Sequence, residues 1–198
     1  MTLAIPQPPA QQALWVFAYG SLIWNPGFHY QEVREARLYG YHRALCVWSI
    51  EHRGTPEQPG LVFGLDKGGC CRGRVYRVED AQQWQVLSYL AKRELLTAIY
   101  QPRYLRVHTA EGVVTALCFL ANAEHPQYAG RLCPEQAALA VAMAAGHSGR
   151  SLDYLRNTLS ELNLRGLRDA RLEHICAQAQ HWDSQSERPL VEFPSFAN

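Results

Sequence analysis

Glu79-Asp80-Ala81-Gln82-Gln83-Trp84-Gln85-Val86-Leu87-Ser88-Tyr89-Leu90-Ala91-Lys92-Arg93-Glu94-Leu95 lies between two β-rich stretches of the chain, and its reading decides the fold. Glu79 and Asp80 supply negative charge at the start, with Asp80 available as an N-cap, and the apolar spacing that follows predicts a helix to about Leu95. At about 100° per residue, Trp84, Leu87, Leu90, Ala91 and Leu95 gather into the stripe expected to pack on a sheet. Upstream, residues 15–19, 32–38, 42–50, 61–65 and 72–78 read as short strands, punctuated by Pro26, Gly27, Gly40, Gly54, Pro56, Pro59, Gly60, Gly68 and Gly69. Downstream, residues 100–109 and 113–121 read as a hairpin around Glu111-Gly112, so the sheet resumes after one helix. Residues 135–145, 151–164 and 167–178 then carry helical spacing, which makes the fold class mixed α+β. The expected organisation is an extended tail over residues 1–14, a single domain over residues 15–181, and a second tail over residues 182–198.

Within that first helix one residue is out of place. Glu94 follows Leu87 by a heptad, and an ideal helix drifts only about 20° over seven residues, so the carboxylate projects with the apolar stripe. Removing an ionised carboxylate from water costs several kcal/mol unless something offsets it. Two readings remain open on geometry alone: a structural one, with a salt bridge to an arginine such as Arg93 or Arg106 or a helix end that reaches solvent, and a general base whose pKa is lifted by desolvation toward the working pH.

Bulk properties narrow the function classes. The 198 residues include 19 Lys plus Arg and 18 Asp plus Glu, for a net charge of +1, with no basic cluster of the kind that binds a phosphate backbone or an anionic membrane. Nucleic acid and membrane are therefore unexpected partners. No apolar run approaches the roughly 20 residues that span a bilayer, and residues 1–9 lack the basic and apolar regions of a leader, so a cytoplasmic location is expected. The six cysteines follow no disulfide or zinc spacing and read as free thiols. Cys70 and Cys71, being adjacent, should point to opposite faces of a strand. No metal site is expected.

Three further places could carry chemistry. In Phe17-Ala18-Tyr19-Gly20-Ser21-Leu22 a strand ends at a glycine followed by a hydroxyl, a turn whose amides could hold a carboxylate or a developing oxyanion, or could simply be a turn. The loop of residues 49–60 places Arg53 among polar groups and glycines, as a binding loop or a plain connection. Tyr128, in His125-Pro126-Gln127-Tyr128, could put a phenol into a cleft or plug a surface gap. Gly146-His147-Ser148-Gly149 does not complete G-x-S-x-G after a strand, so Ser148 reads as a link between helices rather than a nucleophile.

Taken together and in order, Val16-Phe17-Ala18-Tyr19-Gly20-Ser21-Leu22-Ile23-Trp24-Asn25-Pro26, Gly40-Tyr41-His42-Arg43, Arg53-Gly54-Thr55-Pro56, Pro59-Gly60-Leu61, Lys92-Arg93-Glu94 and His125-Pro126-Gln127-Tyr128 resemble the ChaC-like γ-glutamylcyclotransferases. The resemblance spans residues 15–177. It implies a strongly curved, barrel-like sheet with surrounding helices and a cofactor-free release of 5-oxoproline and Cys-Gly from glutathione, a small-molecule substrate. By motif position it makes Glu94 the catalytic base. Val16, Phe17, Ala18, Tyr19, Gly20, Ser21 and Leu22 become a substrate-binding segment, with Arg53 and Tyr128 as further binding residues. Ala18 departs from the glycine usual in the family. A non-catalytic module that binds a γ-glutamyl ligand, linked to cation transport, is the alternative the resemblance leaves open.

Overall fold

The computed structural model describes residues 5–9, 12–185 and 193–196. The chain divides into two compact units, one of residues 1–44 and 64–126 and one of residues 45–63 and 127–198.

The first unit is built on a barrel. Among the described residues its strands are β1 (Trp15–Ala18), β2 (Glu32–Ser49), β3 (Gly60–Arg77), β4 (Tyr100–Thr109) and β5 (Gly112–Ala121), in the order β1-β3-β2-β4-β5. Pairing of β1 with β5, parallel at Trp15 with Ala116 and Val16 with Leu117, closes the ring. Closure leaves no edge strand unpaired, which is how a curved sheet avoids offering its backbone to other chains. Val16, Phe17, Val75, Val107, Ala116 and Leu117 are fully buried; because neighbours such as Val16 and Phe17 point to opposite faces, β1 and the end of β5 are covered on both sides.

Three of the glycines expected to end strands do not. The pieces predicted at 32–38 and 42–50 are one strand, β2, and those at 61–65 and 72–78 are one strand, β3. Gly40 at φ 84°, Gly68 at φ 96° and Gly69 at φ 69° lie inside these strands. Positive φ, open to glycine without a Cβ clash, bends a strand and re-aims it while pairing continues. β2 and β3 are long enough that residues 45–49 and 60–63 count with the second unit. The hairpin of β4 and β5 forms as expected, with Thr109 opposite Gly112 and Gly112 at φ 125°.

The helix between β3 and β4, α1 (Gln83–Glu94), follows a 3-10 turn at Asp80–Gln82. Asp80 makes no cap to the backbone; it accepts from the Gln83 side chain at 2.9 Å. The expected stripe needs correction, because Trp84 is 72% exposed while Val86, Leu87 and Leu90 are buried. The buried sector lies on the Val86 side of Leu87, and Trp84 falls on the other side of it at helical spacing.

The second unit holds α2 (Pro134–Met143), the two-residue strands β6 (Ala145–Gly146) and β7 (Gly149–Arg150), α3 (Ser151–Leu164) and α4 (Ala170–Ser184). Pro134 opens α2, where its missing N–H is no loss, and the alanines let the helix bury Ala137 through Ala142 continuously. α3 ends in a Schellman motif, with the Leu167 amide on the Leu162 carbonyl, the Gly166 amide on that of Asn163, and Gly166 at φ 66°. Asp169 then caps α4 by accepting from the Leu172 amide at 3.0 Å. The cap is why the last helix starts at Ala170 rather than 167; the helix continues to Ser184, into the stretch expected as tail.

None of the six cysteines is in a disulfide; Cys70 is exposed and Cys71 buried, the opposite faces expected of neighbours on a strand, and Cys133 is also exposed. Among the described residues no helix is long and apolar enough to cross a membrane.

Candidate active site

The first unit brings the turn after β1 against the C-terminal end of α1. β1 stops at Ala18, which is fully buried in register with Arg74 of β3. Gly73, beside Arg74, has no room for a side chain, since a Cβ there would lie 2.2 Å from the Ala18 carbonyl. Val16 and Phe17 are likewise fully buried in the barrel, and the Tyr19 hydroxyl donates to the Phe119 carbonyl at 2.8 Å. These side chains set the position of the turn. The Tyr19 carbonyl is gripped by Arg43 Nε, and Arg43 Nη2 reaches the Arg72 carbonyl at 2.6 Å.

Gly20 then leads into a 3-10 turn at Ser21–Ile23, in which the Ile23 amide bonds to Gly20 and the Trp24 and Asn25 amides bond to the Ser21 carbonyl. The first amides of such a turn, those of Ser21 and Leu22, have no carbonyl partner within it. Leu22 and Ile23 are buried, Ser21 half-buried. Tyr76 of β3 donates to the Ile23 carbonyl at 3.1 Å, and Phe28 sits edge-on between Tyr76 and Tyr89 at centroid distances of 6.0 and 6.4 Å. Gly27, at φ 73°, passes so close to α1 that a Cβ would fall 2.0 Å from the Tyr89 hydroxyl.

Glu94 is the last residue of α1, with 16% of its side chain exposed. Arg93 Nε lies 3.1 Å from Glu94 Oε1. Burial raises the Glu94 pKa above the carboxylate range, and the charge and hydrogen bond of Arg93 only partly oppose it. Glu94 is thus ion-paired to Arg93, and burial favours its protonated form more than that of a free carboxyl.

Arg93 joins the turn to the helix. Its Nη1 donates to the Asn25 carbonyl at 2.8 Å, lies 3.3 Å from that of Pro26, and meets the Tyr89 hydroxyl at 2.8 Å, while Nη2 donates to Ser21 Oγ at 2.9 Å. Sequence reasoning treated this arginine only as a possible partner of Glu94. The signal missed was its reach: side chains adjacent on a helix project about 100° apart, and only the fold of residues 21–26 gives the guanidinium its other partners.

The other two candidates lie in the second unit. Arg53 donates from Nη1 to the Ser148 carbonyl, receives Tyr154 beneath its guanidinium at 5.5 Å, and its amide bonds to Ser49 Oγ at 2.9 Å. Gly146 and Gly149 approach it so closely that a Cβ would lie 2.7 Å from its amide or 3.1 Å from Nη1 respectively. Tyr128 forms a short antiparallel bridge with Val47, flanked by bonds from the Trp48 amide to Gln127 and from the Ala129 amide to Cys46. Ser148 sits in the β6–β7 turn that links α2 to α3, with its hydroxyl 2.9 Å from His52 Nδ1.

The family described as ChaC-like protein matches residues 14–181. A glutathione-specific γ-glutamylcyclotransferase of Escherichia coli (strain K12) is 32% identical over 190 residues, covering 96% of this chain and 82% of that protein. Glutathione-specific γ-glutamylcyclotransferase 1 of Homo sapiens is 33% identical over 185 residues, covering 87% of this chain and 83% of that protein. Among solved structures, the selenomethionine-labelled γ-glutamyl cyclotransferase specific to glutathione from yeast superposes with a TM-score of 0.80 at 21% identity, over 87% of this chain and 97% of that one. At that identity the likeness concerns the fold, and it agrees with the barrel described above.

Proposed function

The chain belongs to the ChaC-like protein family, and from that premise we propose that it is a γ-glutamylcyclotransferase that cleaves glutathione to 5-oxoproline and Cys-Gly, in the cytoplasm, with Glu94 as its general base. The observation that carries the base assignment is a carboxylate shielded from water, with a raised pKa, at the helix end that meets the Gly20 turn.

The chemistry asks little else of the protein. The α-amine of the γ-glutamyl group attacks its own γ-carbonyl carbon, forming the five-membered lactam, and the bond from that carbon to the cysteinyl nitrogen breaks. Atoms balance without water or a co-substrate. Because nucleophile and electrophile belong to one molecule, holding the chain in a near-attack shape supplies several kcal/mol of the barrier. Glu94 takes a proton from the ammonium, which must be neutral to attack, and delivers it to the departing nitrogen. A raised pKa narrows the gap between carboxylate and ammonium and so favours that transfer. Val16 through Leu22 form the substrate segment, in which the Ser21 and Leu22 amides offer donors to the α-carboxylate or to the tetrahedral oxyanion. Arg53 and Tyr128, in the second unit, are proposed as further binding residues on the strength of the motif match alone.

Incubation of the purified chain with glutathione tests the reading. Equal amounts of 5-oxoproline and Cys-Gly, accumulating over many turnovers, are expected. A thermal shift with glutathione but no product would instead make the chain a γ-glutamyl-binding module.

A further inference from the structure

We propose that Arg93 is a positioning residue, holding the Glu94 carboxylate and the Ser21–Pro26 turn on one guanidinium so that base and substrate segment keep a single geometry. The inference rests on Glu94 being the base.

Geometry carries it. One planar fork meets Glu94 Oε1 at 3.1 Å, Ser21 Oγ at 2.9 Å, the Asn25 carbonyl at 2.8 Å and the Tyr89 hydroxyl at 2.8 Å. Only 17% of the Arg93 side chain is exposed, so these partners take the place of water. An arginine making such an arrangement is not replaceable by lysine, whose point charge lacks the planar set of donors. The turn has its own anchors, Arg43 at the Tyr19 carbonyl and Tyr76 at the Ile23 carbonyl. Among the described contacts, Arg93 is what ties the turn to the carboxylate.

Its charge gives it a second, separable effect. The charged group acting on Glu94 is Arg93; Tyr89, on the same helix, is the titratable group sharing its guanidinium, and the turn presents a neutral hydroxyl and neutral carbonyls. Removing the guanidinium leaves burial unopposed at Glu94, and the acidic limb of the rate profile moves to higher pH. A lysine restores charge without the fork.

The experiment is the pH dependence of kcat and KM for wild type, Arg93→Gln, Arg93→Lys and Glu94→Gln, with rates normalised to folded protein from thermal melts. Arg93→Gln is expected to lose about 10–100-fold in kcat, as about an ångström of misplacement does, with its acidic limb at higher pH. Arg93→Lys should return the limb toward wild type while kcat stays low. Should Arg93→Gln fail to fold, Arg93→Lys and Ser21→Ala carry the test, the latter raising KM with the limb unmoved. An Arg93→Gln or Arg93→Lys enzyme with wild-type kcat and limb, beside an inactive Glu94→Gln, overturns the role of Arg93 and leaves the base intact. An active Glu94→Gln overturns the base itself.

Discussion

Glu94 stands under two opposed influences, burial that favours its proton and the Arg93 charge that disfavours it, and burial prevails. The stability consequence has a definite sign. A carboxylate whose folded pKa exceeds its unfolded value binds protons more strongly in the native state, so its contribution is complete below the unfolded pKa and is lost as pH rises through the folded one. Urea denaturation across pH should therefore show wild type losing stability relative to Glu94→Gln as pH climbs out of the ordinary carboxylate range. A constant difference between the two proteins would mean that the side chain is not shielded. For Arg53, whose Nη1 already serves the Ser148 carbonyl, the binding role predicts that Arg53→Ala raises KM more than it lowers kcat. Unchanged kinetics with a lowered melting temperature would leave it as a brace of the β6–β7 turn.

The turn after β1 and the helix α1 approach closely enough that small residues matter at their junction. Gly27→Ala puts a methyl against the Tyr89 hydroxyl and strains a φ of 73°, and is expected to cost about 1–3 kcal/mol and to lower turnover by pushing Tyr89 from Arg93. Trp84→Ala, at an exposed position of the same helix, should stay within about 0.5 kcal/mol of wild type. Chemical denaturation of the two variants decides both; equal effects would contradict the packing described. Much at this scale was legible in the sequence. Heptad spacing from Leu87 placed Glu94 on the buried side of α1, and Glu111-Gly112 marked a hairpin that forms. What was not legible depended on tertiary partners. The continuity of β2 and β3 through Gly40, Gly68 and Gly69 follows from barrel pairing, and the exposure of Trp84 from which side of Leu87 meets the protein. The reach of Arg93 exists only once residues 21–26 have folded onto α1.

For the molecule as a whole, a chain of the ChaC-like family carries its Glu94–Arg93–Ser21 cluster in the barrel-bearing unit. The ordered motifs were enough to indicate the family, because their sequence order is far more specific than any one of them; the barrel followed from the resemblance and not from periodicity. In the proposed reaction a single carboxylate, Glu94, moves the proton while the substrate attacks itself. The most direct measurement is 5-oxoproline release from glutathione by Glu94→Gln, beside glutathione binding by the same variant. Retained binding and a kcat lower by about 10²–10⁴-fold, the contribution of a positioned base, are expected. Turnover at the wild-type rate would contradict it.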